Sequence, residues 1–253
     1  MTGFAILLRK ETLEQVRTMR LLVTGAIFLV IGLGSPILAK YMPDLIGALA
    51  GDQYAGIIPP PSTAIAIDQL LKNTSQTGTL AAILLAMGAV ASEKERGTAA
   101  FVLTKPASRG AFLLSKFLAI AFTLAVATAL AGLAGYLYTA LLFEAVPPAG
   151  FVAMCVLVWI SLLVYAAATF LGSTLSRSIL PAAGLGIAFL IVLGVLSALP
   201  TIGPWIPGSL NGPAAALALG EDPGNVAGPL LTSIAFVLLV LVASWAVFQR
   251  QEL

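Results

Sequence analysis

The chain has 253 residues, of which 59% are apolar and 9% charged, with a formal net charge of +2. Soluble domains carry about 25% charged residues, so this balance cannot coat a water-facing surface. One cysteine and no histidine exclude a disulfide framework, a multi-cysteine metal site, bis-histidine haem ligation and His-based acid–base catalysis.

Residues 1–20 carry Arg9, Lys10, Glu11, Glu14, Arg17 and Arg20 where a cleavable signal peptide would have a short apolar core, so none is expected. Ala5, Leu8, Thr12, Val16 and Met19 share one helical face and Lys10, Glu14 and Arg17 the other. This pattern predicts an N-terminal amphipathic helix lying in the membrane interface.

Six apolar runs with almost no charge follow, at residues 21–39, 74–92, 111–143, 150–172, 181–199 and 229–248. Each can cross a hydrocarbon core of about 30 Å as a helix. They lack the alternation of barrel strands, and a helix satisfies its own backbone hydrogen bonds in lipid. The predicted fold class is therefore an all-α integral membrane protein with six transmembrane helices, forming one domain over residues 1–253. The third run overshoots the core, so its start at 111–116 is expected to project from the membrane.

An even number of spans puts both termini on one side. That side holds eleven basic residues, among them Arg109, Lys116 and Arg177, against five acids, a net +6; the other side nets −4. The positive-inside bias then predicts cytoplasmic termini in the plasma (inner) membrane of a prokaryote. The basic residues thus follow topology, and no nucleic-acid partner is implied.

Two outer segments exceed simple turns. In residues 40–73, the stop at Pro59, Pro60 and Pro61 precedes Ser62 and Thr63, which predict a capped short helix over 64–71 along the outer surface. Residues 200–228 contain Trp205 and the apolar stretch 214–219, compatible with either a segment dipping back into the interface or a plain surface loop. Small residues recur at spacing four, as in Thr128 with Gly132, Ala131 with Gly135 and Gly184 with Ala188. They suit helix packing within the chain or a dimer seam.

The spans contain essentially no ionisable side chain of the kind that ion-coupled carriers use. The chain also lacks G-x-x-x-x-G-K-[ST], whose amides and lysine cradle nucleotide phosphates. Active transport would therefore draw its energy from a partner. A self-sufficient carrier or channel not driven by ATP is the alternative, and it would need polar ion-binding groups.

The most informative stretch is residues 93–110, between the second and third spans. Gly97 ends the preceding helix, Thr98 can cap a short helix, and Pro106 disfavours helical geometry at Lys105. Ser108 can then cap the long third helix. The short helix over 98–105 would expose Phe101 and Leu103 amid Glu93, Glu95, Arg96, Lys105 and Arg109. Physics alone leaves two readings open: a simple connector, or an apolar knob that seats in a groove on another protein.

The run E-K-E-R-G-T, then L-T-K-P-A-S-R and a long apolar helix, resembles the first cytoplasmic loop of ABC-2 type ABC transporter permeases. The matching positions are Glu93, Glu95, Gly97, Thr98, Pro106, Ser108 and Arg109. Ala99 and Ala100 depart from the family's usual leucine and acid. The resemblance implies a permease subunit, with no catalytic site of its own, whose loop helix is a coupling helix seated on a separate soluble ABC ATPase. ATP and Mg would belong to that partner, expected in two copies, and a second permease copy would complete the assembly. Residues 1–20, with Arg9, Lys10, Glu14, Arg17 and Arg20, look like the family's connecting helix; a simple lipid-surface anchor fits them too. Size and short outer segments look most like the single-permease type that includes the nitrous-oxide-reductase maturation permease.

Overall fold

The computed structural model of the chain describes residues 2–50, 59–97 and 108–251. Among these every regular element is helical: α1 (Thr2–Arg17), α2 (Arg20–Ala50), α3 (Thr63–Met87), α4 (Ala91–Glu95), α5 (Arg109–Leu142), α6 (Pro148–Leu175), α7 (Ile179–Ser197), a 3-10 turn (Gly203–Trp205), α8 (Asn211–Leu219) and α9 (Ala227–Gln249). Six helices are long and apolar enough to cross a membrane, α4 prolonging the second of them. The expected coupling helix at 98–105 lies outside the described residues.

The bundle core is built by α3, α5 and α6, where Ile67, Leu70, Phe117, Leu124, Leu162 and Phe170 are buried. Apolar attraction between helices is weak in lipid, so close backbone approach matters more there. Gly32 of α2 sits against the backbone of Ala131 in α5, where any Cβ would collide. Gly132 meets Cys155, and Gly135 meets Leu70, so two of the small-residue pairs pack inside the chain, while Gly184 faces open space.

The first outer segment differs from expectation. Helix α2 runs to Ala50 through Pro36 and Pro43, because neighbouring helices can re-satisfy what a proline frees; Lys40 Nζ donates to the Leu142 carbonyl at 3.2 Å. Ser62 caps as anticipated, accepting from Ile65 N at 3.3 Å. The helix it starts is not a separate surface helix, however. It continues as α3, since Ala66, Ile67, Leu70 and Leu71 are buried in the bundle and nothing breaks the helix at 72–74.

Residues 198–219 fold back into the bundle. Helix α7 has 19 residues against 28 in α6, so α6 overtops it by about 13 Å. The chain descends beside α6 until Ser161 Oγ donates to the Gly208 carbonyl at 3.2 Å, while Gly208 N donates to Ser233 Oγ of α9 at 2.9 Å. Ser161 lies about 20 Å along α6 from Pro148. Helix α8 then climbs the overhanging end of α6 with Ala214 and Ala218 fully buried, and Gly150 admits the Leu217 carbonyl where a side chain would not fit.

Candidate functional site

Helix α1 reaches the bundle through a polar face. Ala5, Val16 and Met19 of the apolar face expected to lie in the membrane interface are exposed, and the positions buried against the bundle are Glu11 and Gln15, flanked by the partly buried Phe4 and Leu8. Thr18 donates to the Glu14 carbonyl, and Met19, in the left-handed region with φ 60°, turns the chain into α2.

The burial of Glu11 is explained by Lys116. Each is 4% exposed, and Lys116 Nζ donates to both Glu11 carboxylate oxygens at 3.1 Å and to Glu93 Oε1 at 2.6 Å. The same ammonium lies 5.0 Å from the Phe112 ring centroid. Lys10 adds contacts of 3.1 Å to Glu11, 3.7 Å to Glu93 and 3.8 Å to Glu14. Burial pulls the Lys10 pKa down, but attraction to Glu11, Glu93 and Glu14 outweighs it and leaves the group above its ordinary value. Gln15, Arg20 and Ser92 complete the wall of a polar cavity of about 20 Å³ at this joint. The first turns of α5 therefore do not project freely: Phe112, Leu113, Ser115 and Lys116 are all buried.

The second span breaks just before this cluster. Helix α3 ends at Met87 and α4 begins at Ala91, and the freed amides of Val90 and Ala91 donate to Ser173 Oγ at 3.0 and 2.9 Å. Lys94 Nζ donates to the carbonyl of Thr174, which also accepts from Gln251 Nε2 at 2.9 Å. Gly97, with φ 68°, closes the segment.

On the far root of the loop, Ser108 accepts from Ala111 N at 3.1 Å and caps α5. Arg109 directs one guanidinium nitrogen to the carbonyls of Phe248, Gln249 and Gln251 at 3.0, 2.7 and 3.2 Å. A cation suits the negative end of α9. Below it, Phe112 stacks on Phe248 with centroids 5.6 Å apart. Both termini thus lie at one end of the bundle, gathered around the two roots of residues 98–107.

A family model described as "ABC-2 family transporter protein" matches residues 5–253. The chain belongs to the ABC-2 transporter family. It is similar to an uncharacterized transmembrane protein, YxlG, of Bacillus subtilis (strain 168), at 28% identity over 251 residues and 97% of each chain. Membership makes this ABC-2 chain a membrane permease subunit of an ABC transporter, which implies an ATPase partner.

Of the loop residues singled out in the permease sequence, Glu93, Gly97, Ser108 and Arg109 stand at the roots in the contacts above. Glu95 and Arg96 are exposed beside them, while Thr98, Phe101, Leu103, Lys105 and Pro106 lie outside the described residues. In the connecting segment, Lys10 and Glu14 join the ion cluster, Arg20 lines its cavity, and Arg9 and Arg17 point outward. Glu11, Lys94, Lys116, Ser173 and Gln251 were missed. Lys116 carried a readable signal, a lone base inside an apolar run, which is tolerated only with a partner. Separately, an open groove of about 590 Å³ runs between α5 and α6, past Ala129, Gly132, Val152 and Trp159. Its walls are almost wholly apolar.

Proposed function

We propose that this permease is the transmembrane half of an exporter, and that a separate soluble ATPase drives it by docking on residues 98–105. The observation that carries this reading is the double anchorage of that loop. Its first root is joined through Glu93 to Lys116 and Glu11, and its second through Arg109 to the end of α9. A push on the loop would reach α1, α5 and α9 together, because a buried ion cluster and a helix-end clamp transmit displacement rather than absorb it.

In this proposal Phe101 and Leu103 seat in the ATPase, with Glu95, Arg96, Thr98, Lys105, Pro106 and Ser108 framing the contact. Both termini are cytoplasmic in a prokaryotic inner membrane. Two permease copies engage two ATPase subunits, which bind ATP and Mg, and closure of the ATPases tilts the bundles to expel or flip cargo. The likeness to the nitrous-oxide-reductase maturation permease rests on size and short outer segments alone.

The test is co-purification with a soluble ATPase from detergent extracts, expected at equal stoichiometry. Phe101→Asp is expected to abolish ATPase stimulation and transport while leaving membrane insertion intact. Unchanged stimulation in that variant would sink the coupling role.

A further inference from the structure

The outward face of α1 combines charges and apolar groups in a way that its packing does not require. Ile6, Arg9, Lys10, Leu13, Glu14 and Arg17 line one shallow groove of about 420 Å³. Ile6 is 68% exposed and Leu13 43%. The acid Glu14 is turned to Lys10, and Lys10 is engaged by Glu11 and Glu93 on its other side. Arg9 and Arg17 make no ion pair among the described residues. The face therefore offers two unopposed guanidinium groups, eight residues apart, with Leu13 between them and Ile6 about one turn before Arg9.

We infer that this face binds an anionic phospholipid, with Arg9 and Arg17 taking phosphate headgroups and Ile6 and Leu13 covering the glycerol and upper acyl region. The inference rests on the membrane-interface position that the sequence predicts for α1. Two features favour lipid over an acidic protein surface. The first is continuity: exposed Leu13, Val16 and Met19 run on into exposed Leu22, Val23, Ile27 and Val30 of α2, whose only possible cover at that depth is the bilayer or another span. The second is charge complementarity. Guanidinium groups match phosphate oxygens in a bidentate way, and a basic segment next to a span draws anionic headgroups. Arg side chains can also lay their stems along apolar surface while the head reaches the phosphate.

The experiment is native mass spectrometry of the intact chain, purified in detergent and equilibrated with phosphatidylglycerol or phosphatidylcholine. Wild type is expected to retain phosphatidylglycerol roughly 10-fold over phosphatidylcholine. Arg9→Gln with Arg17→Gln should erase that preference, whereas Arg9→Lys with Arg17→Lys should keep most of it. Ile6→Gln with Leu13→Gln should lower retention of both lipids. All four positions line an open face away from the Glu11–Lys116 contact, and unchanged protease protection of α1 would verify that each variant is folded. Equal retention of both lipids by wild type would overturn the inference, as would a preference that survives loss of both arginines. If the double glutamine variant keeps its lipid preference but loses the co-purifying ATPase, the face belongs to a protein partner and the inference fails. Failure of wild type to bring down any ATPase would instead sink the coupling proposal and leave the lipid measurement standing.

Discussion

At the end of the bundle bearing the termini, Glu11, Glu93 and Lys116 close a buried ion cluster and Arg109 clamps the last carbonyls of α9. At the opposite end, Gly150 lets the Leu217 backbone touch α6, and deeper in the bundle Gly208 hangs between Ser161 and Ser233; among the described residues, the ion pair at that end, Lys72 with Asp68 at 2.7 Å, is exposed. The first end is held by charges that must stay paired, the second by close backbone contact and a few hydrogen bonds, one of them from the Lys40 ammonium to the Leu142 carbonyl. A charged joint resists separation and fixes partner identity. A joint made of small residues can slide with less penalty, which suits an end that opens and closes around cargo.

Removing the central cation tests this contrast most severely. Lys116→Met leaves Glu11 and Glu93 facing each other without their main counter-charge, and breaking a buried pair in this way costs about 3–5 kcal/mol. The expected result is a lowered Tm and fast hydrogen exchange in residues 2–17, with loss of ATPase stimulation and little change in residues 211–219. Protection of α1 equal to wild type would show that the cluster is not what holds it.

Gly150→Val probes the other end. Its side chain would have to enter the space of the Leu217 carbonyl, and overpacking of this kind costs about 1–3 kcal/mol. Exchange should rise in residues 211–219 while α1 stays protected and ATPase association is unchanged. Coupled loosening of α1 would erase the distinction between the two ends.

A smaller effect is expected from Arg109→Ala, which removes a partly buried cation from the end of α9. Such a cation contributes up to about 2 kcal/mol. Exchange at residues 245–251 should increase, and Arg109→Lys should recover part of the loss because a single ammonium can still reach one carbonyl.

Lys10 should matter least. Its side chain is 46% exposed, and pairs of that kind contribute about 0–1 kcal/mol. Because its folded pKa is raised, its contribution is fully present below the ordinary lysine value of 10.5 and fades as pH rises through the raised one. Protection of α1 in wild type and Lys10→Met should therefore converge in strongly alkaline solution and differ slightly at pH 7; a difference growing with pH would contradict the assignment.

These contacts were unequally legible in the sequence. The caps at Ser62 and Ser108 were readable because a cap is a local hydrogen bond to an amide three residues on. The helix stop at Gly97 was legible for the same reason, because a left-handed residue ends a helix locally. Periodicity assigned the apolar side of α1 to the membrane interface but could not show that Glu11 and Gln15 would be buried against the bundle. Here Glu11 is buried by a lysine 105 residues away, and no local pattern announces such a pairing. Ser173 was passed over because its amide partners are freed only by the break between α3 and α4.

Composition and run length alone determined the helical membrane class and the number of spans, since a hydrocarbon core demands about twenty consecutive apolar residues and self-satisfied backbone. Both are properties of contiguous sequence. Tertiary structure alone decided which charges meet, which side of α1 faces the bundle, that residues 63–87 form one helix, and that residues 198–219 turn back beside α6. Those outcomes depend on the neighbours available to each residue in space, where one buried lysine or one missing Cβ outweighs the local preference of a whole turn.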